Sequence, residues 1–278
     1  MINYIENTEI NDEGVFKDII KYKHEPGKTK LKDCKKEIFE DYLIYKQNSC
    51  ALQKVIPDIR IPDESKKELI KTYNSNPSAL QKSKLMIKKN LPNILRAKCP
   101  YCLISAHSTF DHYLDKSKYP EYALFSSNLI PSCAECNSLK SDFLCDSKGN
   151  RLFINFIFDE LPAYPFLKYI LSIEGEKIVL KKVYLDFDDN EPKKQIIKNH
   201  FKKLKLIPRL EDQFDVAIST IIEEFHEYNY STREVKEVLT KKMRAWEKTR
   251  GINNWETCIL RAIIQNNEVL QYLSKNEK

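Results

Sequence analysis

Cys99, Cys102, Cys133 and Cys136 form two C-x-x-C pairs. Four thiolates in two such knuckles can close a tetrahedral zinc site, because a two-residue gap lets both sulfurs of a pair reach one ion while nearby backbone N–H groups soften the negative charge. An ordinary zinc ribbon separates its knuckles by roughly 15–20 residues, whereas 30 residues lie between Cys102 and Cys133. The surplus carries Asp111, His112 and Asn128, and Asn137 directly follows the last cysteine. Carboxylate and amide oxygens bind a hard divalent cation, and an imidazole moves protons at cellular pH. Taken singly, Asp111 reads as a cap, His112 as a surface histidine and the asparagines as turn or cap residues. Their joint spacing between paired cysteines is what lifts them above those readings.

That spacing, with fifteen residues between His112 and Asn128 and eight between Asn128 and Asn137, occurs with the words Asp-His-Tyr-Leu and Asn-Leu-Ile-Pro-Ser-Cys-x-x-Cys-Asn-x-x-Lys. The pattern resembles the HNH nucleases with their ββα-metal core. Tyr119-Pro120-Glu121-Tyr122 and Phe158-Asp159-Glu160 make it similar, more narrowly, to the HNH subunits of Septu-type antiphage systems. The resemblance covers about residues 96–160. It departs from the family at Asp115, where relatives often carry a proline; losing that turn residue is expected to spare metal binding and leaves the local loop geometry open.

The resemblance implies a metal-dependent endonuclease that hydrolyses phosphodiester bonds, with DNA favoured over RNA, leaving a 5′-phosphate and a 3′-hydroxyl. It casts His112 as the general base, Asp111 and Asn137 as holders of a catalytic Mg²⁺ or Mn²⁺, and Asn128 as the residue that ties the strands together and keeps the His112 loop in register. The four cysteines would hold a structural Zn²⁺. Lys140, one helical turn past Asn137, is expected to face the phosphate as a point charge. The resemblance also implies an ATPase partner subunit; the chain carries no Walker-type phosphate-binding motif with which to supply that chemistry itself. Two other readings use the same motifs: a zinc-stabilised nucleic-acid-binding module without cleavage, and a ribonuclease toxin acting on transfer RNA.

Charge placement points the same way. Residues 66–98 hold nine basic side chains against one acid, Glu68, a local net of +8 in a chain of +6 overall. A cationic tract just upstream of the motif would attract a polyanion and release its counterions; Lys84, Lys88 and Lys89 are its candidate contacts. A solvated helix face is the ordinary alternative. His107 falls outside the motif, and His24, His200 and His226 read as surface residues. Cys145 is a spare near the second knuckle, and Cys34, Cys50 and Cys258 are scattered singly. With no secretory pattern at the N-terminus, disulfides are not expected and the compartment is expected to be cytoplasmic. No run of about 18 apolar residues exists, which argues against a membrane span.

These residues need elements to hold them. With 278 residues, five glycines, 15 tyrosines and 13 phenylalanines, the chain reads as α+β: mostly helical, with a central zinc-braced ββα-metal core and a following β-hairpin. The expected regions are a basic helical one over 1–95, the nuclease core over 96–160, and the hairpin with a helical region over 161–278. Helices are expected over 15–23, as one amphipathic stretch over 28–55, and over 63–73 and 78–89. Residues 153–158 are β-prone. Residues 166–173 and 177–185 flank Glu174-Gly175-Glu176 as a hairpin. Further helices are expected around Ile196–Leu204, from about Leu210 to Tyr228, from Ser231, and from Trp255. The terminal helices are the place to look for a partner surface.

Overall fold

The computed structural model describes residues 10–227 and 230–274, the side chain of His226 excepted. Within them the protein is mixed α and β, dominated by helices, with two small antiparallel sheets. It divides into two compact units, one of residues 10–101 and 105–159 and the other of residues 102–104 and 160–274. No helix among the described residues is long and apolar enough to cross a membrane.

The first unit opens with α1 (Asp12–Tyr22), whose N-cap Asn11 accepts from the Gly14 N–H at 2.8 Å. The single amphipathic helix expected over 28–55 is instead α2 (Gly27–Asp33), α3 (Lys35–Gln47) and a 3₁₀ segment, Ser49–Lys54. Asn48 explains the second break: its side-chain Nδ2 and its backbone N–H both donate to the Ile44 carbonyl, closing the end of α3. Helix α4 (Asp63–Ser75) ends at Asn76, a left-handed residue with φ of 47°, and α5 spans Ser78–Lys89. After the short α6 (Asn93–Ala97) come β1 (Thr109–His112), β2 (Leu129–Ser132) and α7 (Ala134–Lys140). The two strands pair antiparallel with Thr109 opposite Ser132 and His112 opposite Leu129.

An aromatic cluster packs this unit. The Tyr42 and Phe125 rings stack at 4.3 Å, and Tyr45 meets Phe125 and Tyr122 edge-on at 5.2 and 5.0 Å. Such pairs add about 0.5–1.5 kcal/mol each beyond the area they bury. Asp12, buried at the start of α1, accepts from the Ser126 N–H and hydroxyl, both at 2.9 Å, and fastens α1 to the connection before β2.

Residues 153–157 are buried and Phe158 half-buried, and the segment runs irregularly into a turn at 156–158 rather than as the β-prone run expected of it. Asp159 accepts from the Asn155 N–H at 2.9 Å and Asn155 from the Ile157 N–H at 3.1 Å. These side chains take the amides a strand ladder would need.

The second unit is built on the hairpin of β3 (Leu167–Glu174) and β4 (Lys177–Leu185), with a register shift at Ile170/Leu171. Gly175 supplies the positive φ, 59°, that opens the two-residue turn. Helices α8 (Lys194–Lys203), α9 (Leu206–Glu211), α10 (Phe214–His226), α11 (Thr232–Arg250), α12 (Trp255–Gln265) and α13 (Asn267–Leu273) follow. The long helix expected from Leu210 is therefore two, α9 and α10, and Tyr228 lies outside the described residues. Ser231 and Glu234 form a reciprocal capping box on α11. Asn253 accepts from the Phe166 and Leu167 N–H groups at 2.8 and 3.1 Å and donates to the Tyr164 carbonyl, fixing the entry to β3. Trp255 Nε1 donates to the Leu103 carbonyl, which ties the 102–104 segment to this unit. His200, expected at the surface, is fully buried on α8, while the His226 side chain lies outside the described residues.

Candidate active site and metal centre

Cys99, Cys102, Cys133 and Cys136 are all buried, and their sulfurs all lie within 4.8 Å of one another. A tetrahedron with metal–sulfur bonds of about 2.3 Å has edges of about 3.8 Å, so the set fits an ion such as zinc. Backbone details serve the same end. The Cys136 N–H donates to Cys133 Sγ at 3.4 Å, and Leu103, directly after Cys102, takes a left-handed φ of 58°. That conformation costs a non-glycine residue roughly 1–2 kcal/mol. Turning the chain sharply after Cys102 is what the strain accomplishes. Among the described residues, no second group of three or more His, Cys, Asp or Glu side chains comes together in this way.

Strand β1 carries the other candidates, and side chains along a strand alternate between its faces. Thr109 and Asp111 share one face with α7, and Phe110 and His112 share the opposite one. On the first face, Asn137 Nδ2 donates to Thr109 Oγ1 at 3.2 Å, which leaves its amide oxygen for another partner. Asp111 Oδ2 accepts from the Tyr101 hydroxyl at 2.7 Å and pairs with Lys140 Nζ at 3.2 Å. Burial pushes the Asp111 carboxyl up, against the pull of Lys140 and Tyr101. Oδ1 takes part in none of these bonds.

Lys140 stands elsewhere than the sequence led us to expect. It is fully buried, its ammonium donates to the His112 carbonyl at 2.9 Å, and it lies over the Tyr113 and Phe153 rings at 5.9 and 5.8 Å. A lysine held in this way neutralises Asp111 and fixes β1 on α7; it is not offered to a phosphate in solution.

On the other face, His112 is 6% exposed and its Nε2 lies 3.0 Å from the Ala123 carbonyl. A carbonyl only accepts, so Nε2 carries the proton and Nδ1 keeps its lone pair. Burial, with Lys116 and Lys140 adding to it, lowers the ring's pKa to about 3, so it is neutral at cellular pH. No hydrogen bond or ion pair joins the ring to the Asp111 or Asn137 side chain.

Asn128 is completely buried and uses both ends of its amide. Oδ1 accepts from the Leu114 N–H at 2.8 Å and the Tyr45 hydroxyl at 3.2 Å, while Nδ2 donates to the Leu114 and Tyr122 carbonyls at 2.9 and 3.2 Å. It clamps the chain two residues beyond His112 to the start of β2.

Of the basic candidates, Lys84 and Lys88 lie on the His112 face, over Phe110 at 5.7 and 5.3 Å. Lys89 is exposed on α5 and reaches neither ring. Two residues outside the motif complete this face. The Tyr73 ring meets the His112 ring edge-on at 4.3 Å, and Lys116 lies 5.4 Å from the Tyr73 ring centre. Burial and the nearby Asp111 carboxylate raise the Tyr73 phenol to about 12. The available signal for Tyr73 was its place inside the basic tract, and for Lys116 its place four residues past His112.

No family model matches the chain, and no solved structure matches it. Protein ea31 of Escherichia phage lambda is 44% identical over 41 residues, a stretch that makes up 14% of this chain and 14% of that protein. The chain is similar to that phage protein over one short segment, and the match spans about 14% of the relative's length.

Proposed function

We propose that the protein is a metal-dependent endonuclease of the HNH type, acting on the phosphodiester backbone of nucleic acid, with DNA the favoured substrate. The observation that carries this reading is the state of His112: a neutral imidazole, with its tautomer set by the Ala123 carbonyl and a free lone pair on Nδ1. That nitrogen takes the proton of the attacking water. Asp111 Oδ1 and the Asn137 amide oxygen are the groups that would hold a Mg²⁺ or Mn²⁺; they lie on the α7 side of β1, opposite the His112 ring, so this reading requires the phosphate to be reached from both sides of the strand. Such an ion would supply charge stabilisation at the phosphate and the leaving oxygen.

A pKa of about 3 makes a weak base, and general-base catalysis is best near the operating pH. Lys116 is one of the charges that hold it down. A phosphate that neutralises Lys116 would therefore raise it. Asn128 keeps the His112 loop in place through its bonds to Leu114. A Zn²⁺ held by the buried cysteine cluster would brace the N-terminal end of α7.

A place in an antiphage complex, with an ATPase partner, accompanies the resemblance to Septu-type subunits. A binding module without cleavage is the second reading, favoured by the Asp111–Lys140 pair, which neutralises the carboxylate without a cation. The two separate on incubating the protein with plasmid DNA and with structured RNA, with and without Mg²⁺ or Mn²⁺. The nuclease reading expects metal-dependent cutting to 5′-phosphate ends. Salt-sensitive binding with no cutting at any metal concentration would overturn it, and cutting confined to transfer RNA would make the protein a ribonuclease.

A further inference from the structure

The His112 face of β1 gathers several lysines, and Asp115 is the carboxylate that acts on Lys116 and on His112 there, without a direct ion pair. Lys84 Nζ sits over the Tyr73 ring at 4.1 Å and donates to Asn76 Oδ1 at 2.9 Å, a neutral partner. Lys116 approaches the same ring, and Lys88 shares Phe110 with Lys84. Among the described residues, no carboxylate forms an ion pair with Lys84, Lys88 or Lys116. Two other lysines withdrawn from solvent do find a carboxylate: the half-buried Lys23 pairs with Glu68 at 2.7 Å and the fully buried Lys140 with Asp111 at 3.2 Å. Lys116 acts unfavourably on the Lys84 ammonium, and cation–π attraction of about 0.5–2 kcal/mol each holds these groups at the rings.

We propose that Tyr73, Lys84 and Lys116 form a seat for one phosphodiester of a nucleic-acid strand beside His112, with Lys88 over Phe110 contacting a neighbouring phosphate. The proposal rests on the nuclease reading for its place in catalysis, but the seat is a binding site in its own right. Tyr73 supplies the platform: two ammonium groups lie over its ring, at 4.1 and 5.4 Å from the centre, and the same ring meets the His112 imidazole at 4.3 Å. A phosphate held there lies next to the base, and its two non-bridging oxygens match two lysines. Partial burial and the proximity of Lys116 lower the Lys84 ammonium to about 8, a cost that a bound anion would relieve. The recognition is of backbone charge and carries no base sequence.

The test is fluorescence anisotropy with a labelled DNA duplex, without added divalent cation so that no cutting occurs, across a salt series. The parent is compared with the double variant Lys84→Gln/Lys116→Gln, and with Lys236→Gln/Lys241→Gln, which removes equal charge from exposed positions on α11. The seat predicts at least tenfold weaker binding for the first pair and a log–log salt slope shallower by nearly two, since each phosphate contact contributes about 0.9. It predicts less than a twofold change for the second. Lys84→Arg should keep most of the affinity. Equal weakening by both pairs, or an unchanged slope in the first, would overturn the seat. Equal melting temperatures of the variants and parent make the comparison fair; a melting loss that Lys84→Arg restores together with binding still supports the seat, and one restored without binding counts against it. Binding that depends on the lysine pair in a protein that never cuts would sink the nuclease reading and leave the seat standing. A metal-dependent nuclease whose binding ignores the pair would sink the seat alone.

Discussion

The two faces of β1 solve opposite electrostatic problems. On the α7 side, a buried carboxylate, Asp111, is met by a buried ammonium, Lys140, and by a phenol, and the same ammonium caps the His112 carbonyl. On the other side, Lys84, Lys88 and Lys116 gather on Tyr73 and Phe110 with no carboxylate pairing them. A charge pair that closes within the protein contributes to folding and specificity. Charges left open at a surface are suited to a ligand. Charge type along a motif does not by itself assign a role: Lys140 and Lys84 are both lysines near His112, and only Lys84 reaches solvent.

Removing the brace behind the first face should have the largest effect. Cys133→Ser leaves three thiolates where four sulfurs converge, and structural zinc binding is worth on the order of 10 kcal/mol of folding free energy. Zinc content and cooperative melting should be lost together; a zinc-free, fully folded variant would remove the metal from the account. Next comes Lys140→Met, which strands Asp111 as a buried unpaired charge and should destabilise the protein by about 3–5 kcal/mol in urea melts. A loss below about 1 kcal/mol would mean that Asp111 is compensated otherwise.

Asn128→Ala should follow, at about 2–4 kcal/mol, because it removes the partner of the buried Leu114 amide and of its carbonyl, and takes one bond each from the Tyr122 carbonyl and the Tyr45 hydroxyl, which keep Phe125 and Ser127. The smallest change belongs to the open face. Lys84 has a folded pKa of about 8, below the lysine reference of 10.5, so the folded state binds fewer protons between those values. Its ammonium therefore costs stability below pH 8, and that cost fades as pH rises through 8 towards 10.5. Lys84→Gln should accordingly raise stability at pH 7 by a few tenths to about 1 kcal/mol, allowing for solvent screening, and the gain should shrink by pH 10. A constant loss at every pH would show that Lys84 is a structural lysine like Lys140.

Much of the frame could be read from residue order. The hairpin around Gly175 and helix α5 follow from alternation, from helical spacing and from the Pro77 that precedes Ser78. The C-x-x-C pairs foretold a convergence that needs 30 intervening residues to fold back on themselves. What was hidden depends on contacts across the fold. Residues 153–158 have strand-like composition, but Asn155 and Asp159 capture their amides. Helix α3 stops because one asparagine side chain turns back on Ile44. Adjacent Asp111 and His112 look like one unit in the sequence, yet the period of a strand sends them to opposite faces. Tyr73 lies 39 positions before His112 and carries no motif at all. Large exposed apolar side chains occur in both units, at Ile56 and Ile59 in the first and at Val216 on α10 in the second.

The central claim is that the His112 imidazole takes a proton during phosphodiester hydrolysis. Its most direct test is the single-turnover cleavage rate of duplex DNA at saturating Mn²⁺ for the parent and for His112→Ala, the two matched in zinc content and melting temperature. A general base predicts a fall of about 10²–10⁴-fold in the variant. Rates within twofold of each other would contradict it.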